Sequence, residues 1–173
     1  YRYDIAGLSF LVVRTEDGGI KAYPNACLHR GRLLKEYDGR ASEFRCPFHG
    51  FCWTLDGKLK DVPARWDFPH VEDEEWSLPE LPVATWAGFV FINPDVDCDP
   101  FEEFVEDISN QFEVWPLGDL YIASHTAKTV QANWKIAQEA FCEAYHVNAT
   151  HPQILMTLGD TNTQVDIWRN CSR

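Results

Sequence analysis
Two short segments in the first third of the chain have the residue types and spacing of metal ligands. They are Cys27-Leu28-His29 and, after sixteen residues, Cys46-Pro47-Phe48-His49. Two thiolates and two imidazoles complete a tetrahedral zinc site, and they equally serve a two-iron cluster in which one iron takes both Cys and the other both His. Spacing alone leaves both open. A second group lies near the end: Glu139, Glu143, His146, His151 and Pro152. Read as one helix from Asn133 to His146, it puts Glu139, Glu143 and His146 on a single face, four and three residues apart. His151 is five residues further on, about 140° around an ideal helix, so both His reach one metal only where the helix breaks. Pro152 disfavours helical geometry at His151 and supplies that break. Two His and a carboxylate with open positions form the facial triad that binds non-haem Fe(II) and activates O₂.

The rest of the composition narrows the partners. The 173 residues carry 15 Lys+Arg against 27 Asp+Glu, a net charge of −12, which argues against nucleic acid. With 45% hydrophobic and 24% charged residues the chain reads as globular. Its longest apolar runs, 8–13 and 86–92, fall short of the ~18 residues a membrane span needs, so no membrane role is expected. Six Cys in an acidic chain without a secretory pattern point to metal or redox chemistry in a reducing compartment, the cytoplasm. Cys52 reads as a small buried hydrophobe. Cys142 and His146 make half of a zinc site that nothing else completes. The chain starts at Tyr1 and runs at once into a strand-like pattern, which suggests a piece of a longer protein.

Positioning these residues requires two kinds of element, dividing near residue 96. Up to there the sequence reads as hairpins: 8–14 with 20–23 around Asp17-Gly18-Gly19, 51–55 with 58–60 around Asp56-Gly57, and 83–86 with 89–92 around Ala87-Gly88. Residues 61–82, with the run Glu72-Asp73-Glu74-Glu75, read as an irregular, solvated surface excursion. Beyond it, Asp99 as cap and Pro100 as first helical residue precede Phe101, Phe104, Val105, Ile108 and Phe112 at helical spacing, predicting one amphipathic helix. Residues 121–130 look weakly strand-like. The helix read from Asn133 to His146 places Trp134, Ala137, Phe141 and Ala144 on one side.

His29-Arg30-Gly31 after the first pair, and Cys46-Pro47-Phe48-His49-Gly50 between a strand and an aromatic strand, resemble the Rieske [2Fe–2S] motif. The resemblance makes Cys27, His29, Cys46 and His49 the cluster ligands. High-potential Rieske centres carry an extra Cys in each loop and a Ser after the second His-Gly. Arg32, Phe48 and Phe51 stand at those positions here, which implies a potential nearer the low end of the about −150 to +300 mV Rieske range.

The segment from Asn133-Trp134-Lys135 to His151-Pro152 is similar to the iron-site signature of Rieske non-haem iron oxygenases, the aromatic-ring-hydroxylating type, in their α subunits. The resemblance covers most of the chain. It implies an α+β protein: an all-β Rieske domain, 1–96, and the truncated start of a helix-grip catalytic domain, 97–173. It makes His146 and His151 ligands of a mononuclear Fe(II). Glu143 falls where the family usually has a bridging Asp that carries electrons from the cluster to the iron of a neighbouring subunit, here along His49, Glu143 and His146. The third iron ligand is expected beyond residue 173, with Asp160 and Asp166 read as surface acids. Electrons are expected from NAD(P)H through a ferredoxin or flavin reductase. A homotrimer, with or without β subunits, and O₂-dependent hydroxylation of a small organic, aromatic substrate are expected too. The other readings are a stand-alone Rieske ferredoxin, which has no need of the Glu143 to His151 group, and a zinc-stabilised binding module.

Overall fold
The computed structural model describes residues 1–158 and 164–172. Two compact units divide the chain, Tyr1–Cys98 and Asp99–Arg173.

The first unit is built from antiparallel hairpins. Strands β1 (Arg2–Ile5), β2 (Leu8–Arg14) and β3 (Ile20–Pro24) form one sheet in that order; β4 (Phe44–Arg45), β5 (Cys52–Trp53) and β6 (Leu59–Asp61) form a second; β7 (Val83–Trp86) pairs β8 (Phe89–Ile92). Tight two-residue turns set the registers of β1 with β2 and of β7 with β8. Ala87-Gly88 has positive φ at both positions (52° and 87°), the primed geometry whose twist matches its strands. Ala6-Gly7 does the same (52° and 80°), and so creates β1, a strand the sequence pattern did not reveal.

Side chains of these strands bury into a main core and a smaller cluster of Phe10, Ala22 and Leu81, against which Val83 and Ile92 pack. Leu11, Tyr23, Phe44, Phe51, Trp53 and Leu59 are buried together with Cys27 and Cys46. Cys52 is fully buried as well, as expected of a small hydrophobe. Gly57 is required where it stands: its φ is +78°, and a Cβ there would lie 2.6 Å from the Tyr23 ring. The segment 61–82 departs from expectation. Its acidic run is exposed, but Val62, Val71, Leu78 and Leu81 are buried, so the stretch is a cover on the core and not a simple surface loop. The backbone ties it down through Leu78 N–H to the Gly57 carbonyl (2.7 Å) and Leu81 N–H to Ala22 (2.9 Å).

In the second unit the single amphipathic helix is corrected to two, α1 (Phe101–Val105) and α2 (Ile108–Gln111). Glu106 breaks it at φ 49°, ψ −137°, and its carboxylate accepts from the Arg169 N–H at 3.2 Å. Asn170 Nδ2 bonds the Phe104 carbonyl left over at the break (3.3 Å), a long-range partner invisible to local periodicity. Pro100, and not Asp99, is the capping residue, and no side chain caps this end. Residues 121–130 carry no strand. The expected helix to His146 is α3 (Trp134–Glu139), followed after a turn by α4 (Val147–Thr150) and α5 (Leu155–Leu158). Asn133 starts α3 by accepting from Lys135 N–H at 2.9 Å. Bonds from Phe141 N–H to Gln138 and Cys142 N–H to Glu139 tighten its last turn and end it.

Candidate metal centres
The two Cys/His loops have one backbone design. Each Cys N–H donates to the carbonyl five residues on, Cys27 to Arg32 and Cys46 to Phe51, both at 2.8 Å. Each Cys carbonyl accepts from the glycine four residues on, Gly31 (2.8 Å) and Gly50 (3.0 Å), whose φ values are +70° and +81°. Only glycine takes that geometry cheaply. At Gly50 the space is also closed, since a Cβ would sit 2.9 Å from Pro63 Cγ. The loops thus present two Cys and two His to one place from matching frames.

The chemistry of the donors fits a cluster. His29 and His49 have ring centroids 4.8 Å apart, and His29 Nδ1 is buried with no hydrogen-bond partner, a costly state for a ring nitrogen unless a ligand takes it. Burial, then the neighbouring His49 and Arg30, lower the pKa of His29 and favour the neutral imidazole that can donate a lone pair. Burial pushes the Cys27 thiol up, with Cys46 adding to the rise, while the N–H groups of His29 and Arg30 point at its sulfur and pull it back. Those N–H donors stabilise a ligating thiolate.

Sequence reasoning missed what surrounds this place. The His29 ring stacks on Phe51 (4.8 Å, 15°) with Phe68 edge-on at 6.1 Å. Trp76 packs on Phe51 at 6.0 Å, and its carbonyl accepts from Trp53 Nε1 at 2.7 Å. The cover segment 61–82 therefore builds an aromatic wall around His29, which no local pattern announces. On the other side His49 is exposed, with the Phe48 ring tilted against it at 3.8 Å.

At the second site Glu143 and His146 do not share a helix face with Glu139. Glu139 ends α3, Glu143 lies in the turn, and His146 leads into α4. Glu143 is nevertheless joined to His146: its Oε2 accepts from the His146 N–H at 3.0 Å, and its Oε1 contacts ring Nδ1. That hydrogen bonding holds the Glu143 carboxyl below its ordinary pKa. His151 leaves helical conformation (φ −126°, ψ 51°) next to Pro152, and its ring centroid is 5.4 Å from that of His146. With Nδ1 of His146 turned to Glu143, Nε2 is the free lone pair. Among the described residues no three His, Cys, Asp or Glu are placed to hold one metal ion. Asp166 is half-buried and accepts from Gln164 Nε2 at 2.6 Å; Asp160 lies outside the described residues.

Comparison with known proteins decides the family. Residues 1–79 match the Rieske [2Fe-2S] domain, and residues 101–171 match the ring hydroxylating alpha subunit (catalytic domain). The chain belongs to the Rieske oxygenase α subunits. Over 153 residues it is 31% identical to the glycine betaine monooxygenase oxygenase subunit of Pseudomonas aeruginosa, covering 86% of this chain and 34% of the relative. Over 157 residues it is 35% identical to the large oxygenase component of salicylate 5-hydroxylase from Ralstonia sp, covering 83% and 37%. The chain thus spans a little over a third of the length of these relatives. The structure is similar to that of the quaternary ammonium Rieske monooxygenase CntA in complex with L-carnitine (TM-score 0.82, 28% identity, 96% of this chain and 47% of that one). It is also similar to naphthalene 1,2-dioxygenase from Rhodococcus sp. bound to indole (TM-score 0.74, 30% identity, 90% and 37%). A Rieske domain is a [2Fe–2S] module, and the catalytic-domain match sets the stand-alone ferredoxin and the zinc module aside. Among the described residues no helix is long and apolar enough to cross a membrane.

Proposed function
We propose that the full-length protein is the oxygenase component of a Rieske non-haem iron system that uses O₂ to hydroxylate a small aromatic substrate. The observation that carries this is the presence, in one chain, of the twin Cys/His loops and of a His pair, His146 and His151, of which His146 is oriented by the Glu143 carboxylate. Cys27, Cys46, His29 and His49 would hold a [2Fe–2S] cluster, and His146 and His151 a mononuclear Fe(II). When bound, the cluster supplies one-electron transfer and the Fe(II) supplies O₂ activation.

The protein's own groups do the rest. Phe51 and Phe68, with Trp76 behind Phe51, cover one side of the half-buried His29, whereas exposed His49 would offer its outer edge to a partner. Glu143 fixes the tautomer of His146, so that Nε2 is presented to metal. In a homotrimer, with or without β subunits, Glu143 would link His146 to His49 of the partner subunit and close the gap with a short polar path. A third iron ligand would come from beyond residue 173, and electrons from NAD(P)H through a ferredoxin or flavin reductase. A cytoplasmic location is part of this reading, and the six free thiols are in keeping with a reducing compartment.

The test is the full-length protein with a flavin reductase and NADH. Expected are acid-labile sulfide, a reducible Rieske spectrum by visible absorption and EPR, and O₂-dependent hydroxylation within a panel of salicylate, biphenyl and naphthalene. Stoichiometric zinc without labile sulfide would overturn the cluster assignment. Turnover of carnitine or glycine betaine with none of the aromatics would overturn the substrate class.

A further inference from the structure
The two cluster loops match in their internal hydrogen bonds but not in what closes them. Loop 46–51 springs from a strand pair, with β4 entering, β5 leaving and Arg45 paired directly to Cys52. Loop 27–32 has a strand on its entering side only: β3 ends at Pro24, and the chain from 33 to 43 carries no strand. A loop without a rung at its base is free to open, and its ligands with it.

One side chain occupies the place of the missing rung. Asn25, two residues before Cys27, is 1% exposed and uses its whole hydrogen-bonding capacity. Its Oδ1 accepts from the N–H groups of Leu34 and Lys35, both at 3.0 Å. Its Nδ2 donates to the Lys35 carbonyl at 2.8 Å and to Ser9 Oγ at 3.0 Å. Its backbone N–H extends the β2–β3 ladder by donating to the Ser9 carbonyl at 2.9 Å. Like a peptide group, this amide both donates to and accepts from the departing chain, and it ties the loop's two ends to β2.

We propose that Asn25 is the positioning residue of the cluster: its amide substitutes for a strand rung and fixes the Cys27/His29 loop opposite the Cys46/His49 loop. This rests on the cluster reading above. The chemistry excludes close substitutes. An aspartate keeps the two accepted bonds but faces the Lys35 carbonyl with a second acceptor, and an alanine leaves buried N–H groups unpaired. With Asn25→Ala, opening of the loop becomes about tenfold more frequent, or more, for each group left unpaired.

The experiment compares four variants of the full-length protein with wild type: Ser9→Ala, Asn25→Asp, Asn25→Ala and Thr15→Val. Thr15 is buried in the same unit and bonds Asp17 and the Gly19 carbonyl at the far hairpin, so its replacement weakens the unit without touching the loop. Labile sulfide per chain, EPR g-values, reduction potential and the rate of bleaching in air are read beside thermal midpoint. Bleaching should quicken in the order Ser9→Ala, Asn25→Asp, Asn25→Ala, with shifted g-values in both Asn25 variants, while Thr15→Val lowers the midpoint and keeps the wild-type spectrum and bleaching rate. Wild-type g-values and bleaching in Asn25→Asp, or equal cluster loss in Thr15→Val, would overturn the proposal. Should Asn25→Ala not fold, the comparison of Asn25→Asp with Thr15→Val decides. A wild-type protein without labile sulfide overturns the cluster reading itself, a result distinct from either.

Discussion
The Glu143 carboxylate holds His146 at two points, the backbone N–H through Oε2 and the ring Nδ1 through Oε1. Backbone and ring are thereby fixed by one side chain before any metal binds. In the full-length enzyme Glu143→Gln is expected to leave the cluster spectrum intact and iron occupancy largely so, while slowing product formation by about tenfold or more, the usual cost of losing an outer-shell acid on a ligating histidine. Glu143→Asp should retain substantial activity, because an aspartate also reaches the N–H three residues on. Iron analysis beside single-turnover kinetics separates the roles: loss of iron with normal transfer would make Glu143 a ligand.

His29 and His49 sit in unlike surroundings, so their replacements should differ. A thiolate in place of either imidazole adds negative charge to the iron and is expected to lower the potential by about 100 mV or more. His49→Cys, at an exposed position, should keep near-normal cluster content. His29→Cys removes the ring stacked on Phe51 and faced by Phe68, and should hold less cluster as well. Protein-film voltammetry and labile sulfide check both; equal cluster content would contradict the aromatic wall's role.

Gly57→Ala forces a Cβ against the Tyr23 ring at a φ of +78°. Strain and clash together should cost about 2 kcal/mol or more of stability. Urea unfolding followed by Trp fluorescence measures it, and an unchanged midpoint would show that Tyr23 can move aside.

Glu43 joins the second sheet by accepting from Arg45 Nε (2.9 Å) and Lys60 Nζ (2.7 Å), and Asp61 completes the group by accepting from Arg45 Nη1 (3.0 Å). Hydrogen bonds from Lys60 and then Arg45 lower its pKa from 4.5 to about 2. A depressed carboxylate contributes stability that is complete above its unfolded value and lost as pH falls toward the folded one. Between pH 4.5 and 2 the thermal midpoint of wild type should therefore fall more steeply than that of Glu43→Gln, with the two curves converging at the acid end. Parallel curves across that window would show that the ion pairs contribute nothing to folding.

The sequence by itself determined the residue types and spacing of both candidate sites and some of the turns beside them. Ligand types at fixed short spacing, as in Cys27-Leu28-His29 and Cys46-Pro47-Phe48-His49, are local facts, and so is the Pro152 that takes His151 out of helical conformation. Ala87-Gly88 and Asp56-Gly57 likewise announce their turns, because positive φ is a property of single residues. Tertiary structure decided what depends on partners far along the chain. The amphipathic run from Phe101 reads as one helix, yet it breaks at Glu106, where Arg169 and Asn170 supply hydrogen bonds from more than sixty residues away. Residues 61–82 look like solvated loop by composition, and become the cover that walls in His29 because Phe68 and Trp76 find Phe51. Nothing in the local pattern singles out Asn25. Only folding brings Ser9, Leu34 and Lys35 around it, and a buried amide takes its meaning from the groups that satisfy it.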